Sequence, residues 1–373
     1  MNRYVLLGIA SAMVPLVMQA QSTAADTSVK ISWGAFVDGY FAWDFQRPAN
    51  FDRSFAGGAL FTTQPARHNE FNVNLAFVEA KLDGQRVRGR IALQAGTSVQ
   101  SNYSGEPANG QVSGPSLARH IQEAVVGAKL ADNIWVDGGI FFSHMGMESW
   151  VSRDNPTYTR SLVAEYSPYY QSGVKLTWMA SSKLTAQVDV VNGWQNISEN
   201  NRGKGVGLRL DYSPAANSTL SYYNFFTQEA GTRLRGFNGV GAKVVKGRAT
   251  VLAQFDLGMQ DDSDGSDGSA TWYGFTAILR GQMTPTFGVS GRVERFDDRN
   301  QVIIGTGSVD ETPNAAFRGN GASIGLDWSP LPRLLWRSEF RGFMNDRPLF
   351  PNGATGAPSK RDAFITSSLA LTF

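Results

Sequence analysis

The chain has 373 residues, with 40 glycines, 12% aromatic residues and no cysteine. Its formal net charge of +2 at pH 7 gives no strong field for nucleic acid. The lack of cysteine excludes disulfides, thiol catalysis and cysteine-based metal sites, and three histidines leave little for a histidine-rich metal centre. A hydrophobic content of 42% predicts a folded chain rather than a disordered one.

The N-terminal segment resembles an export signal. Arg3 is followed by a mostly apolar stretch over residues 4–17 and then by small residues between Ala20 and Ala25. This order is typical of a secretory signal peptide, and the apolar stretch is shorter than the ~20 residues of a spanning helix. We therefore expect residues 1–25 to be cleaved and residues 26–373 to form a single domain.

The rest of the chain alternates between apolar and polar residues. Within residues 86–93, Val87, Ile91 and Leu93 alternate with three arginines, and later segments repeat the pattern. A period of two predicts β-strands with one apolar and one polar face. Because a soluble β-sandwich has the same alternation, the connections between strands must discriminate between the two folds.

Sixteen segments have this strand pattern, and the connections between them alternate in length. Tight turns such as residues 132–133 alternate with long loops such as 45–68, 102–118 and 144–168. This alternation is typical of a transmembrane antiparallel β-barrel with short periplasmic turns and long extracellular loops. Sixteen strands are predicted, with fourteen and eighteen as the alternatives, and an even number places both termini on the periplasmic side. The predicted strands are 29–44, 69–83, 86–101, 119–131, 134–143, 169–180, 184–194, 204–213, 218–228, 236–246, 248–260, 270–283, 286–297, 317–329, 333–344 and 361–373.

Two features of the aromatic residues favour a membrane barrel. Trp178, Tyr212, Trp328 and Trp336 lie close to short turns, where a periplasmic girdle is expected. The last strand ends on Phe373, which suits a strand that closes the barrel. We expect this terminal residue to be recognised by the barrel assembly machinery of the outer membrane.

Several motifs resemble the OmpL-like β-barrel porins. They are ISWGAFVDGYFAWD at residues 31–44, HNEFNVNLA at 68–76, GMES at 146–149 and VNGW at 191–194. The motifs cover the first two-thirds of the chain, and the last third is similar in strand pattern only. A departure is the Pro-Thr-Tyr segment that follows Asn155. The resemblance implies a Gram-negative outer-membrane pore whose substrate is unassigned.

A barrel of sixteen strands is wide enough to enclose an aqueous channel. Alternation assigns ten basic and seven acidic residues to its lumen, which predicts a weak preference for anions. The alternative is that these charges pair with one another and only stabilise the barrel. The predicted pore-lining residues are Arg86, Arg88, Arg90, Glu123, Lys129, Asp137, Lys175, Asp189, Arg209, Asp211, Lys243, Asp256, Arg292, Glu294, Arg337, Glu339 and Arg341.

Residues 144–168 are the candidate constriction loop. In sixteen-stranded porins the loop after the fifth strand folds inward, so the resemblance implies that this loop narrows the channel. We expect its acidic residues to face the ladder formed by the arginines at positions 86, 88 and 90; the alternative is an outward lid. The candidate residues are Glu148, Arg153, Asp154, Arg160 and Glu165.

Other signals are weaker. The acidic residues within 261–268 resemble part of a calcium loop but lack the closing glutamate, so we interpret them as a solvated turn. The pairs Ser143–His144 and His120–Glu123 suggest no catalytic triad. We therefore expect no enzyme activity, cofactor or metal site.

The preferred hypothesis is an outer-membrane porin for small hydrophilic solutes or ions. The alternatives are a non-conducting barrel that acts as an adhesin or structural protein, and a secreted β-sandwich that binds carbohydrate. The expected partners are outer-membrane lipid and lipopolysaccharide, and no nucleic acid. Small residues such as Gly239, Gly241 and Ala242 suggest a face for packing a second subunit.

Overall fold

The computed structural model describes residues 29–229, 233–261, 268–307 and 316–373. Across these ranges the chain forms sixteen strands, and the predicted number is confirmed. The strands are β1 (Lys30–Asp44), β2 (Phe71–Asp83), β3 (Val87–Ala95), β4 (Ile121–Ala131), β5 (Ile134–Phe142), β6 (Tyr170–Met179), β7 (Leu184–Val191), β8 (Gly205–Ala215), β9 (Ser218–Glu229), β10 (Arg233–Lys246), β11 (Ala249–Asp261), β12 (Ser269–Gln282), β13 (Phe287–Asp298), β14 (Phe317–Leu331), β15 (Leu334–Asn345) and β16 (Arg361–Thr372).

The strands close into an antiparallel barrel. Each pairs with its neighbours in the chain, and β1 pairs with β16 from Phe36↔Thr372 to Asp44↔Phe364. The Phe373 amide extends this seam by donating to the Ala35 carbonyl oxygen at 2.9 Å. Closure leaves no strand edge unpaired, which is required of a sheet that crosses lipid.

The third strand is shorter than the sequence predicts. Residues 86–101 were expected to be extended, but β3 covers Val87–Ala95, and Thr97–Asn102 forms the short helix α1. Arg86 lies in the turn before β3 and is exposed. Two further short helices are α2 (Pro115–Ala118) and α3 (Leu162–Glu165). No helix in the described part of the chain is long and apolar enough to span a membrane.

The two faces of the barrel differ in polarity. On β11, Val251, Phe255 and Leu257 are exposed on the outside, whereas Gln254 and Asp256 are buried inside. Apolar residues that would be unfavourable on a water-exposed surface are expected on a face that contacts lipid. The outside is therefore the membrane face, and the inside forms a polar lumen.

The aromatic residues near the short turns lie on this outer face. Trp178, Tyr212 and Trp328 are each close to half exposed, at 46%, 45% and 47%. Trp336 packs edge-on against Trp328, with ring centroids 6.4 Å apart. The position of these rings suits the periplasmic interface of the membrane.

Two of the small residues proposed for subunit packing are on the lumen side of the barrel. Gly239 and Gly241 lie on the inner face, where a Cβ atom would collide with Tyr223 and Met147 respectively. Ala242 has the opposite strand parity, and it lines an apolar groove on the outer face. The prediction that both glycines form an outer packing face was therefore wrong, because strand parity places them in the lumen.

Candidate functional site in the lumen

The loop between β5 and β6, residues 143–169, crosses the lumen; we call it the inner loop. β5 and β13 lie on opposite sides of the ring of sixteen strands. The amide of Leu162 nevertheless donates to Glu294 Oε2 on β13 at 2.6 Å. The amide of Thr159 donates to Glu339 Oε2 on β15 at 2.7 Å. The inner loop therefore reaches the wall opposite its own origin.

The wall that receives the inner loop carries a network of ion pairs, which we call the anchor network. Arg292 Nη2 lies 2.8 Å from Glu339 Oε1, and Arg341 Nη2 lies 2.7 Å from Glu294 Oε1. Arg337 pairs with Asp327 at 2.8 Å. These charges are buried, and a buried charge is tolerated only when it is paired and hydrogen-bonded.

The arginines of the anchor network also hold the inner loop. Arg337 Nη1 donates to the carbonyl oxygen of Ser152 at 2.7 Å, and its Nη2 donates to those of Asn155 and Pro156 at 3.2 and 3.1 Å. Arg292 Nη1 donates to the Thr159 carbonyl oxygen at 2.6 Å. The inner loop covers these wall residues, so they do not line open water.

The beginning of the inner loop is fixed on β7, β8 and β9. His144 Nδ1 lies 2.7 Å from Asp189 Oδ2, and His144 Nε2 lies 2.8 Å from the carbonyl oxygen of Asn224. Arg209 Nη1 donates to the carbonyl oxygens of His144 and Gly146 at 2.6 and 2.9 Å. Both ring nitrogens of His144 are thus engaged, which leaves neither available as a base for Ser143.

Close packing supports these bonds. A Cβ atom at Gly207 would collide with the His144 ring, and one at Gly241 would collide with Met147. The Met147 amide donates to Gln254 Oε1 at 2.9 Å, and Gln254 in turn donates to Asp256 at 2.8 Å. Glycine is required at these wall positions because the inner loop approaches the backbone closely.

The acidic residues predicted in the inner loop bond to the loop itself or to the first long loop. Glu165 accepts from the Thr63 amide at 3.0 Å and lies 3.4 Å from Arg160. Arg153 lies 3.4 Å from Asp154. Glu148 accepts hydrogen bonds from the amide and hydroxyl groups of Ser161. None of these acids contacts the predicted arginine ladder, so the loop-to-ladder arrangement expected from the sequence was wrong.

Glu148 is a buried carboxyl group of the inner loop whose acidity is perturbed. It lines a cavity of about 220 Å³ between the two arms of the loop. Burial raises the pKa of its carboxyl group above the ordinary value, and Glu294 adds to the increase. Arg292 and the hydrogen bonds from Ser161 oppose the increase. The loop thus contains an acid that gains a proton more readily than one in water.

Arg88 and Arg90 of the predicted ladder pair with acids of the barrel wall instead. Arg88 Nε donates to Asp137 Oδ1 at 2.6 Å, and Arg90 Nε donates to Glu79 Oε2 at 2.8 Å. Arg90 also pairs with Glu123. A cavity of about 280 Å³ lies near the short-turn end of the lumen, and its charged lining residues are Lys81, Asp83, Arg88, Arg90, Glu123, Asp137 and Lys175. We call this region the basic wall.

The remaining predicted residues lie elsewhere in the lumen or at its rim. Lys129 lies 3.7 Å from Asp132 in the adjacent turn. Asp211 pairs with Arg209 at 2.8 Å, and Asp256 accepts a hydrogen bond from the Tyr223 hydroxyl at 2.7 Å. Their partners are also wall residues, so most lumen charges in the described ranges are paired.

Sequence reasoning missed several charged residues of the interior. Asp38 accepts from the Ser152 hydroxyl at 2.8 Å and so binds the inner loop from β1. Its strand shows no alternation of polarity, because Phe36 and Tyr40 share its inner face. Arg280 pairs with Asp327 at 3.0 Å and was likewise missed. Strand parity was the only signal that could have found them.

The first long loop, residues 45–70, also packs inward. Arg53 bridges Asp44 and Asp362 at 2.9 and 2.8 Å. Phe61 packs against Phe343 on β15, with ring centroids 4.8 Å apart. An aromatic cluster therefore fills part of the lumen above the inner loop. Its phenylalanines on the first long loop and on the β13 to β16 side of the barrel are Phe55, Phe61, Phe296, Phe317, Phe343, Phe350 and Phe364.

Two predicted features fall outside the described residues. The predicted signal peptide lies within residues 1–28, and most of the predicted acidic turn lies within 262–267. Across the ranges that the structure describes, no group of three or more histidine, aspartate or glutamate residues could hold a metal ion.

A closed sixteen-stranded barrel with an apolar exterior and a charged lumen crossed by a loop defines the porin class of outer-membrane proteins. The chain belongs to the family described as putative beta-barrel porin-2, OmpL-like, which matches residues 30–373. The resemblance inferred from the motifs and the location in the outer membrane are confirmed.

Solved porins share the fold at low sequence identity. An anion-selective porin from Comamonas acidovorans has a TM-score of 0.59 and 10% identity, covering 93% of this chain and 100% of that one. The trimer form of in-vitro folded OmpT from Vibrio cholerae gives 0.57 and 8%, covering 93% and 100%. Salmonella typhi OmpF in complex with daunomycin gives 0.57 and 12%, covering 92% and 98%. No curated protein matches the chain.

Proposed function

We propose that the protein is a passive diffusion channel for small hydrophilic solutes or ions, with a weak preference for anions. The observation that carries this proposal is the inner loop, which is bonded across the lumen to the anchor network. A loop held in this way narrows the passage to a fixed aperture. The solute path then runs past the basic wall, where a polar cavity remains open along strands β2 to β6.

The anion preference is proposed from the cations that lack a carboxylate partner. Among the described residues, Arg86, Lys175 and Lys243 form no ion pair, and all three are at least partly exposed. The unpaired acids Asp38 and Asp256 are buried by their hydrogen-bond partners, and Asp83 is, within the described part of the chain, an exposed acid without an ion pair at the rim of the basic wall. Exposed charge at a narrow point selects ions more strongly than buried charge.

Single-channel recording in a planar bilayer tests this function. Discrete conductance steps are expected, and in a salt gradient the reversal potential should have the sign of an anion-preferring pore. A cation-preferring reversal potential would contradict the charge assignment and leave the channel proposal intact. Silence from protein that is folded and inserted would contradict the channel itself.

One observation favours the alternative of a non-conducting barrel that binds a surface partner. The aromatic cluster joins the first loop to the barrel, and the Tyr166 hydroxyl donates to the Phe61 carbonyl oxygen at 2.6 Å. This packing could close the extracellular half of the lumen. If the wild-type barrel carries no current, Phe61→Ser should produce conductance. That result would distinguish a channel closed by the first loop from a barrel that has no passage.

We also propose that the barrel forms a homo-oligomer and contacts lipopolysaccharide through its outer face. An apolar groove of about 740 Å³ crosses β7 to β12 on this face and includes Ala242, Ala253 and Ala277. Beside it, the Tyr222 hydroxyl donates to Asn238 at 2.8 Å within the apolar band. Polar groups at this depth favour contact with protein over lipid. Chemical cross-linking in native membranes tests the association.

A further inference from the structure

The basic wall contains one cation without a partner. Lys175 lies on β6 between Asp137 on β5 and Asp189 on β7, its direct neighbours in register. Both acids are already engaged elsewhere. Asp137 binds the guanidinium of Arg88, and Asp189 lies 2.7 Å from His144 Nδ1.

The ammonium group of Lys175 is therefore left with free donors. It has no hydrogen-bond acceptor and no carboxylate within 4.0 Å among the described residues, and it lies 4.7 Å from the ring centroid of Phe141. The aromatic face holds the ammonium in place without using its three N–H groups. Lys175 also lines the cavity of about 280 Å³, into which these donors can bind a ligand.

The other groups around this cavity determine which ligand fits. Arg88 binds Asp137 through Nε and Nη2 and lies 4.4 Å from the Trp135 ring, so its Nη1 is not used. Lys81 and Arg90 are the other two cations around the cavity, and both are paired with Glu79, at 3.1 and 2.6 Å. A guanidinium edge beside a free ammonium matches the donor geometry preferred by carboxylate and phosphate oxygens.

We propose that Lys175 and Arg88 form a binding subsite for a small oxyanion, a carboxylate or phosphate solute, inside the lumen. This inference rests on the proposed channel function and names the solute class for it. The cavity is smaller than the ~300–1,000 Å³ of sites that hold drug-sized ligands, so the solute is small. The acids Asp83, Glu123 and Asp137 in the same cavity keep the local charge low, and binding is weak enough for the solute to leave.

Inorganic phosphate is the probe for the first test. Adding phosphate to a chloride solution should partly block the wild-type current. In Lys175→Met the concentration for half-block should rise about tenfold, which corresponds to ~1.4 kcal/mol. Lys175→Arg should restore the block. Lys243→Met is the matched control, because it also removes an unpaired lumen cation but does not line this cavity. It should shift the reversal potential, but its half-block concentration should equal that of the wild type. Equal block in Lys175→Met and wild type would overturn the proposal.

A second test does not need conductance. Acetylation of the folded protein in detergent, followed by mass spectrometry, reports the reactivity of each lysine. Phosphate should slow acetylation of Lys175 severalfold and leave Lys243 unchanged. Protection in a barrel that carries no current would support the subsite and contradict the channel. Current without protection of Lys175 would support the channel and overturn the subsite.

Discussion

Arg337 is the residue whose removal best tests how the inner loop is held. We consider Arg337→Met, which keeps much of the side-chain length but removes every N–H donor. The three hydrogen bonds to the carbonyl oxygens of Ser152, Asn155 and Pro156 are lost. Asp327 is not left unpaired, because Arg280 remains 3.0 Å from it. The substitution therefore affects the loop more than the wall.

The expected magnitude follows from these contacts. A hydrogen bond to a charged group contributes about 1.5–3 kcal/mol, so three at the lower value give about 4.5 kcal/mol. Water in the lumen replaces part of this, and we expect docking of the inner loop to weaken by roughly 2–3 kcal/mol. The undocked population should then rise roughly 30- to 150-fold.

Limited proteolysis and channel recording measure this change. Trypsin should cut Arg337→Met faster at Arg153, which is partly exposed within the inner loop. The open-channel current should become larger and noisier. Lys243→Met controls for the loss of one lumen charge and should match wild type in the rate of proteolysis and in current noise. Wild-type proteolysis and noise in folded Arg337→Met would refute the view that these bonds hold the loop.

Three further predictions follow. Gly241→Ala should weaken docking of the inner loop by about 1–3 kcal/mol through overpacking, whereas Gly291→Ala, where the nearest atom would be 3.9 Å away, should not, as tryptic cleavage will show. Because burial raises the pKa of Glu148, the docked loop binds this proton more readily than the undocked loop, so docking should strengthen as the pH falls through that pKa and weaken as it rises. Glu148→Gln should reduce this dependence in recordings between about pH 4 and 8. Phe373→Ala should lower the yield in the outer membrane but leave folding in detergent unchanged, because the ring is 61% exposed; equal yields would contradict a role in assembly.

The strands could be predicted because their signal is local. A period of two survives wherever one face contacts lipid and the other a polar lumen, as on β11. The pattern failed where the inner face is not polar. On β1, Phe36 and Tyr40 share the inner face with Asp38, so the acid that binds the inner loop gave no alternation signal.

The partners of the lumen charges could not be predicted. Arg88 and Arg292 have the same parity signal, yet one belongs to the basic wall and the other is covered by the inner loop. Their difference depends on which loop reaches which wall. Contacts between residues more than a hundred positions apart, such as that of Leu162 with Glu294, leave no periodic trace in the chain.

The sequence by itself determined a sixteen-stranded membrane barrel with short turns and long loops, because strand period, turn residues and apolar faces are set by neighbouring residues. Only the tertiary structure decided that the anchor network is bound to the inner loop and that Lys175 remains unpaired. It also decided that Gly207 and Gly241 leave space for the side chains of His144 and Met147. These features depend on ring closure, which brings opposite walls within reach of one loop. Closure is a property of the whole chain, so no local pattern could encode its contacts.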